Sequence, residues 1–529
     1  MDRRVAQGRS QPAHPDPSAT FVAISVGSAL IAIALVVYTL SHPTRFYNHF
    51  EWQALAFLEG QTAIRYPVEA SATSRGNAFF QDVLPVASSD GVPRGVVPFP
   101  PLPAIVLVPF VALWGLAANG QLVFAILGAL DVGLAWWVLG RLPVRPWVRF
   151  TATAFFGFGT VFWYAAQIGT TWYQAHVLAV GLAFAAIGVA LGADRDAAIR
   201  EDDLGEASEG EDDERPASDG LAVLRRLLPD SRQFAAGVLF GLACTSRLTV
   251  AFAAPFFVLV GGGGSWWRRG WSAALGTAIP LAGLALYNVA STGQLFNPAY
   301  QHLYELEATY YRPLGYNLDW EIEDIRYLPQ NFAIMFLSAP VWHPTQVPMT
   351  LGNGDALCTA ADAARGLFDP GCPLLLPRDT GMSILLTSPA YLLALPALRW
   401  GFGLSRLVSG AALAVLIIGF VNLLHFSQGW VQFGYRFSND FAPWAVLLVA
   451  VGLERIAAFA RPLRDAGARP QPDAWSDSAG GGPAVAIDAA GSAPAALVGW
   501  LAIGLALALV VASVVVNAWG VIWGNALGW

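Results

Sequence analysis

Stretches of about twenty apolar positions, with few or no charges inside them, recur along the chain. They run at Thr20–Leu40, Gln121–Gly140, Trp172–Gly192, Gly270–Ala290, Leu407–His425, Phe437–Leu453 and Ala495–Asn517. A hydrocarbon core about 30 Å thick is crossed by about 20 helical residues. Lipid offers no partner to a free backbone N–H or C=O, so each stretch is predicted as a helix. With the shorter apolar runs added, the pattern predicts an all-α, polytopic membrane protein. It has about eleven transmembrane helices, with interfacial helices in the outer loops. Composition agrees: 13% of residues are charged, where a soluble domain carries roughly 25%. The first run lacks a small-residue cleavage exit and reads as an anchor.

Arginine placement orients these helices, because basic residues in short loops mark the cytoplasmic side. All basic side chains here are Arg. Arg3, Arg4 and Arg9 predict a cytoplasmic N-terminus in the plasma (inner) membrane, with residues 41–100 outside. Counting Pro101–Leu116 as a span would carry Arg141, Arg145 and Arg149 outside. That run is short and opens with Pro98, Pro100, Pro101 and Pro103, so it is read as a helix in the outer interface. The three arginines then fall inside, as do 195–232, Arg268/Arg269, Arg399/Arg406 and 455–469. The outside receives loops 41–120 and 291–380, a short loop near Gln167–Thr171, and Ser427–Arg436. Gln233–Ser246 and Leu248–Val260 read as two short helices with Arg247 at the bend near the outer face, since one long helix would bury that charge in lipid.

The resulting organisation is a cytoplasmic tail at 1–19, a membrane domain at 20–455, a flexible cytoplasmic linker at 456–494 and a last helix at 495–529. An insert at 194–232 carries the acidic stretch Glu201–Asp219 and is predicted as a disordered, solvated cytoplasmic loop. That stretch dominates the net charge of −7.

Soluble-enzyme signatures are absent. Without lysine there is no phosphate-loop lysine, and no H-E-x-x-H or C-x-x-C pair suggests zinc. Gly261–Gly264 reads as a turn, and Asp194-Arg195-Asp196 as part of the insert. Nothing points to nucleic acid. Polar residues instead concentrate in the outer segments. RFYNHFEWQALAFLEG is amphipathic, with His49 and Glu51 at its start. An enclosed carboxylate there can have a raised pKa and act as a general base; as a first-turn acid it also suits the helix dipole. The large loop holds Tyr300, His302 and the carboxylates Asp319, Glu321, Glu323 and Asp324. Its tyrosines fit either sugar contacts or an interfacial aromatic belt. Arg436 and Asp440, four apart, either pair on one helical face or leave Arg436, with Arg247, to grip a phosphate. Asp131 and His176 are ionisable groups in or at the mouth of spans, which makes them candidates by default. Cys358 and Cys372 flank a small outer loop and are predicted to form a disulfide.

Several segments, in order, carry a resemblance: PFPPLPAIVLVPFVALWG, FGFGTVFWYAAQIGTTWYQAH, GLACTSRLTVAFAAPFF, LYNVASTGQLFNPAYQ, GMSILLTSPAYLLALPAL and QFGYRFSNDFAPW. Over roughly residues 20–455 the chain resembles the bacterial membrane glycosyltransferases of the GT-C class. That group includes the protein O-mannosyltransferases and the lipid A aminoarabinose transferase. The resemblance implies transfer of a sugar from a polyprenyl-phosphate carrier to an extracytoplasmic acceptor within the lipid bilayer. An early outer-loop acid would serve as base or metal ligand, which leaves a divalent metal as the one open cofactor. By position Glu51 would be that acid, with His49 beside it and Asp82 as a rival. Arg247 and Arg436 would hold the lipid phosphate, and His176 stands where the family often has an acid. The other readings are a transporter or flippase for a lipid-linked sugar, whose inverted repeats are not evident, and a noncatalytic membrane scaffold.

Overall fold

The computed structural model describes the chain outside residues 1–16, 41–46, 66–79, 81, 88–90, 209–227, 311–316, 318, 348–353, 361–362, 430 and 461–492. The N-terminal arginines, residues 209–227 of the acidic insert and most of the linker thus lie outside the described residues. The helices are α1 (Pro17–Thr39), α2 (His49–Leu58), α3 (Leu102–Trp114), α4 (Gly120–Leu139), α5 (Pro146–Phe158), α6 (Phe162–Ile168) and α7 (Thr171–Ser208). They continue with α8 (Ser231–Cys244), α9 (Ala254–Leu259), α10 (Trp266–Thr292), α11 (Ala299–Tyr310), α12 (Leu328–Phe332), α13 (Ile384–Thr387) and α14 (Leu395–Gly401). The last three are α15 (Arg406–Leu424), α16 (Ala442–Phe459) and α17 (Ala493–Ala526). All seven long apolar stretches are helical, and seven described helices (α1, α4, α7, α10, α15, α16 and α17) have the length and apolarity to cross a membrane. Helix α7 runs on past its span into the first residues of the acidic insert.

Strands appear only as short ties in the loops. Among the described residues, β1 (Ile64–Arg65), β2 (Leu84–Val86) and β3 (Arg94–Val96) pair antiparallel in the order β1-β3-β2. β4 (Val341–Trp342) pairs with β5 (Leu375–Leu376). Cys358 and Cys372 are joined, their Cα atoms 4.6 Å apart, in the loop between β4 and β5.

Helix α4 returns along α1: the Trp136 indole, near the end of α4, donates to the Ala23 carbonyl near the start of α1 (2.8 Å). The chain between them must therefore leave and rejoin the same end of the bundle. Among the described residues, α3 is the one long apolar helix in that stretch, and a single crossing by it would break the parity. It packs on α2 and on α7.

The arginines predicted inside collect at the opposite end. Arg145 pairs with Glu454 at the end of α16 (3.2 Å), and Arg406 with Asp194 (3.7 Å). Arg268 and Arg269 bond the Leu228 and Val258 carbonyls, each at 3.0 Å. Residues 231–260 form a hairpin. Gln233 at the start of α8 donates to the Phe257 and Val260 carbonyls (2.7 and 3.2 Å) and ties the legs together. Arg247 lies at the tip with extended backbone (φ −140, ψ 106). Gly237 and Gly276 let α8 and α10 approach until a Cβ at either would overlap the other's backbone, a small-residue contact suited to packing in lipid.

Candidate active site

The first turn of α7 organises the polar end. Gly169 closes α6 in the left-handed region (φ +53), and a Cβ there would stand 3.0 Å from the Gln121 backbone; glycine lets the chain turn straight into α7. In a helix Thr171 and Gln174 share one face, while Tyr173 and His176 share another. Each face meets a different set of charges.

On the first face, His49 is fully buried at the start of α2. Its Nε2 meets Asp82 Oδ1 at 2.8 Å, and its Nδ1 lies 3.0 Å from the Thr171 hydroxyl. That hydroxyl also donates to the Tyr47 carbonyl (3.0 Å), and Phe80 stacks on the imidazole at 4.5 Å. Both His49 nitrogens are engaged, so it works as a strut between α2, α7 and the 41–120 loop, with Asp82 as its partner. Glu51, two residues beyond His49 on α2, is 4% exposed. Burial pushes its carboxyl up to about 7, against the opposing pull of its own backbone N–H, the Gln174 amide, His49 and the Gly120 N–H. Its Oε2 has no hydrogen-bond partner among the described residues. A carboxyl poised near neutrality with one free oxygen is the chemistry of a general base.

Gly120 shapes this pocket. A Cβ there would overlap Glu51 Oε1, and would lie 2.7 Å from Glu51 Cδ and 3.1 Å from Gln174 Nε2. Gly120→Ala is therefore expected to swing the carboxyl away and lower activity at least tenfold, with little change in melting temperature because Ala suits a helix. Equal activity in purified variant and wild type would show that the Glu51 position does not matter.

On the second face, Asp440 is fully buried at the side chain and receives three partners. Arg247 grips it with Nε and Nη2 (3.1 and 2.9 Å), Thr249 donates its hydroxyl (2.7 Å), and His176 Nδ1 stands 2.9 Å away. Residues Arg436–Asp440 form a 3-10 turn rather than an α-helix. At three residues per turn, positions four apart diverge by about 120°, so the alternative of an Arg436–Asp440 pair on one α-helical face is not realised. Asp440 neutralises Arg247 instead. Arg436 keeps a half-buried guanidinium without a carboxylate partner among the described residues. Its Cζ lies 5.7 Å from the Tyr173 ring and 5.3 Å from the Phe437 ring, and its Nε is buried and unbonded. Asp440→Asn is expected to destabilise the fold by about 3–5 kcal/mol, because it breaks a buried, hydrogen-bonded ion pair. Unchanged thermal unfolding in detergent would refute that.

Sequence reasoning missed a relay beside this face. Tyr300 OH lies 3.1 Å from His425 Nε2, and His425 Nδ1 lies 3.2 Å from Glu323 Oε1. The loop strand at Ile322–Asp324 pairs with residues 424–426 through Phe426 N–H to Ile322 (2.8 Å) and Asp324 N–H to Leu424 (2.7 Å). Asn331 holds the Leu423 and His425 carbonyls (2.9 and 2.8 Å). The available signal was the histidine at the end of an apolar run. The His425 ring lies 6.1 Å from the Phe437 ring, over which the Arg247 guanidinium stands at 5.2 Å. The His302 side chain makes no hydrogen bond or ion pair among the described residues, while Asp324 pairs with exposed Arg326 (2.9 Å). Asp131 is buried inside α4 against Gly181, away from these groups.

No three His, Cys, Asp or Glu side chains converge as metal ligands among the described residues. Both His49 nitrogens are engaged by Thr171 and Asp82.

No family model and no curated protein matches the chain. Among solved structures it is similar to ArnT from Cupriavidus metallidurans bound to undecaprenyl phosphate, at 12% identity and TM-score 0.44, over 97% of this chain and 78% of that one. The apo state of the same protein gives 15% identity and TM-score 0.40, over 96% and 76%. The Archaeoglobus fulgidus oligosaccharyltransferase, tethered with an acceptor peptide containing the NVT sequon, gives 13% and 0.40 over 94% of this chain. The chain spans 55% of that protein's length. The helices themselves define the chain as an all-α, multi-pass membrane protein with a polar site at one end of its bundle.

Proposed function

We propose that this protein is a membrane glycosyltransferase that moves a sugar from a polyprenyl-phosphate carrier to an acceptor on the non-cytoplasmic side. The observation that carries the reading is that consecutive residues of α7's first turn meet two different groups: Tyr173 faces Arg436, which has no carboxylate partner among the described residues, and Gln174 faces the buried, near-neutral carboxyl of Glu51. A lipid phosphate calls for the first. An acceptor hydroxyl that must lose a proton calls for the second. A single displacement places the base and the leaving-group stabiliser on opposite sides of the anomeric carbon, and its product is inverted.

In this mechanism Glu51 Oε2 takes the acceptor proton as the acceptor oxygen attacks the sugar. The bond from sugar to phosphate breaks, and the charge that develops on the departing lipid phosphate falls on Arg436. Arg247, oriented by Asp440, offers its remaining Nη1 edge. The Tyr300–His425–Glu323 chain borders Arg247 through Phe437. His49 and Asp82 position α2, and with it Glu51. The arginine-rich end of the bundle faces the cytoplasm under the positive-inside rule, which puts the site in the outer leaflet of the plasma (inner) membrane.

The test is transfer of label from a panel of radiolabelled polyprenyl-phosphate sugars to membrane acceptors, using full-length protein in proteoliposomes. Transfer from one or more donors, absent from empty liposomes, is the expected result. Movement of a lipid-linked sugar across the bilayer with no covalent transfer would replace this reading with a flippase.

A further inference from the structure

A second polar feature lies at the other end of the molecule, outside the proposed chemistry. Between α1 and α4 runs a groove of about 920 Å³, lined by Ile24, Ser28, Ile31, Leu134 and Trp137 and reaching Arg149. Both walls are membrane-crossing helices. In α1 only 17% of the span is buried within the protein, so the groove opens to the acyl region of a bilayer.

The charged end is built and uncompensated. Arg149 lies with Cζ 3.6 Å over the Trp136 ring, and its Nε donates to the Trp136 carbonyl (2.8 Å). Gly140 leaves room for it, since a Cβ there would meet the guanidinium at 2.5–2.9 Å. Arg141 lies with Cζ 4.3 Å over Trp137, a wall of the groove. Neither has a carboxylate partner among the described residues: Glu454 pairs with Arg145, and Asp194 with Arg406. Burial, and then the like charges of Arg195 and Arg232, push the Arg141 guanidinium down, as expected where positive charge is crowded without a counter-ion. Arg149 at the mouth of an apolar, lipid-facing groove, with Arg141 stacked on its Trp137 wall beside Gly192 of α7, matches a molecule with an anionic phosphate head and acyl chains.

We infer that this groove binds an acidic phospholipid, its acyl chain along α1 and α4 and its phosphate on Arg149 and Arg141. The occupant is a lipid rather than a free anion because the apolar part of the groove is contiguous with the arginines.

The test uses delipidated full-length protein in detergent, with lipid binding counted by native mass spectrometry and melting followed in parallel. Phosphatidylglycerol is expected to bind at least tenfold more tightly than phosphatidylcholine. Arg141→Gln combined with Arg149→Gln is expected to erase that preference. Ser28→Trp, which fills the groove and keeps both charges, is expected to weaken phosphatidylglycerol binding by a similar factor, and it decides the matter if the arginine variant does not fold. Equal binding of the two lipids by wild type overturns the inference. So does a preference that survives either variant, or a melting shift reproduced in full by inorganic phosphate, which would mark a free-anion site. None of these readouts depends on glycosyl transfer.

Discussion

Glu51→Gln is expected to reduce transfer by about 10³-fold while leaving the apparent affinity for the lipid donor nearly unchanged. General-base catalysis contributes typically 10²–10⁴-fold, and the amide keeps the shape of the carboxyl without accepting a proton. The wild-type pH profile should carry the same signature. A base works ionised, so kcat/KM is expected to fall tenfold per pH unit as pH drops below about 7, the value to which burial raises Glu51. Stability runs the opposite way. The folded-state value is raised from 4.5 to about 7, so the folded protein binds this proton more tightly than the unfolded chain. The resulting stabilisation is fully present below 4.5 and is lost as pH rises through 7, an effect of about 3 kcal/mol. The Gln variant mimics the protonated acid at every pH. It should therefore melt higher than wild type at pH 8 while being nearly inactive. A variant that transfers at the wild-type rate would move the base to Asp82 or to the Asp319–Asp324 loop.

Arg436→Ala is expected to lower kcat/KM for the lipid donor by about 10–100-fold without loss of stability. A charge-assisted hydrogen bond to phosphate is worth about 1.5–3 kcal/mol. No carboxylate pairs with this cation among the described residues, so its removal breaks no ion pair and gives up only its contacts with the Tyr173 and Phe437 rings. Removing it also relieves the desolvation of a half-buried charge. Arg436→Lys should recover part of the donor affinity, because a point charge replaces a planar fork. The contrast with Asp440→Asn separates the two halves of the second face, one variant losing donor and the other losing fold. If Arg436→Ala binds donor normally, the phosphate sits elsewhere, and the free Nη1 edge of Arg247 is the next position to test.

Much of the architecture was legible in the residue pattern because the bilayer is a severe solvent. Twenty apolar residues in lipid have one stable backbone solution, so Leu407–His425 and Phe437–Leu453 could be placed without knowing their neighbours. The proline-led run at Pro101–Leu116 could be kept out of the count of crossings because three downstream arginines demanded it. Arg247 could be put at a bend because burying it mid-membrane is costly. Candidate chemistry was legible as residue types in the outer loops, but partnerships were not. Asp440 could be assigned neither to Arg436 nor to Arg247 from spacing, since the choice depends on whether five residues wind as an α-helix or a 3-10 turn. The Tyr300–His425–Glu323 relay joins positions more than a hundred residues apart through a backbone pairing that no local pattern announces. The environment of Glu51 likewise comes from Gly120 and Gln174 on two other helices. The apolar spans thus follow from the sequence by itself, since each is a local bargain between a helix and lipid. Which charge meets which, and which is left free for a substrate, was decided only by tertiary packing, because burial and pairing depend on what every other helix brings to the same place.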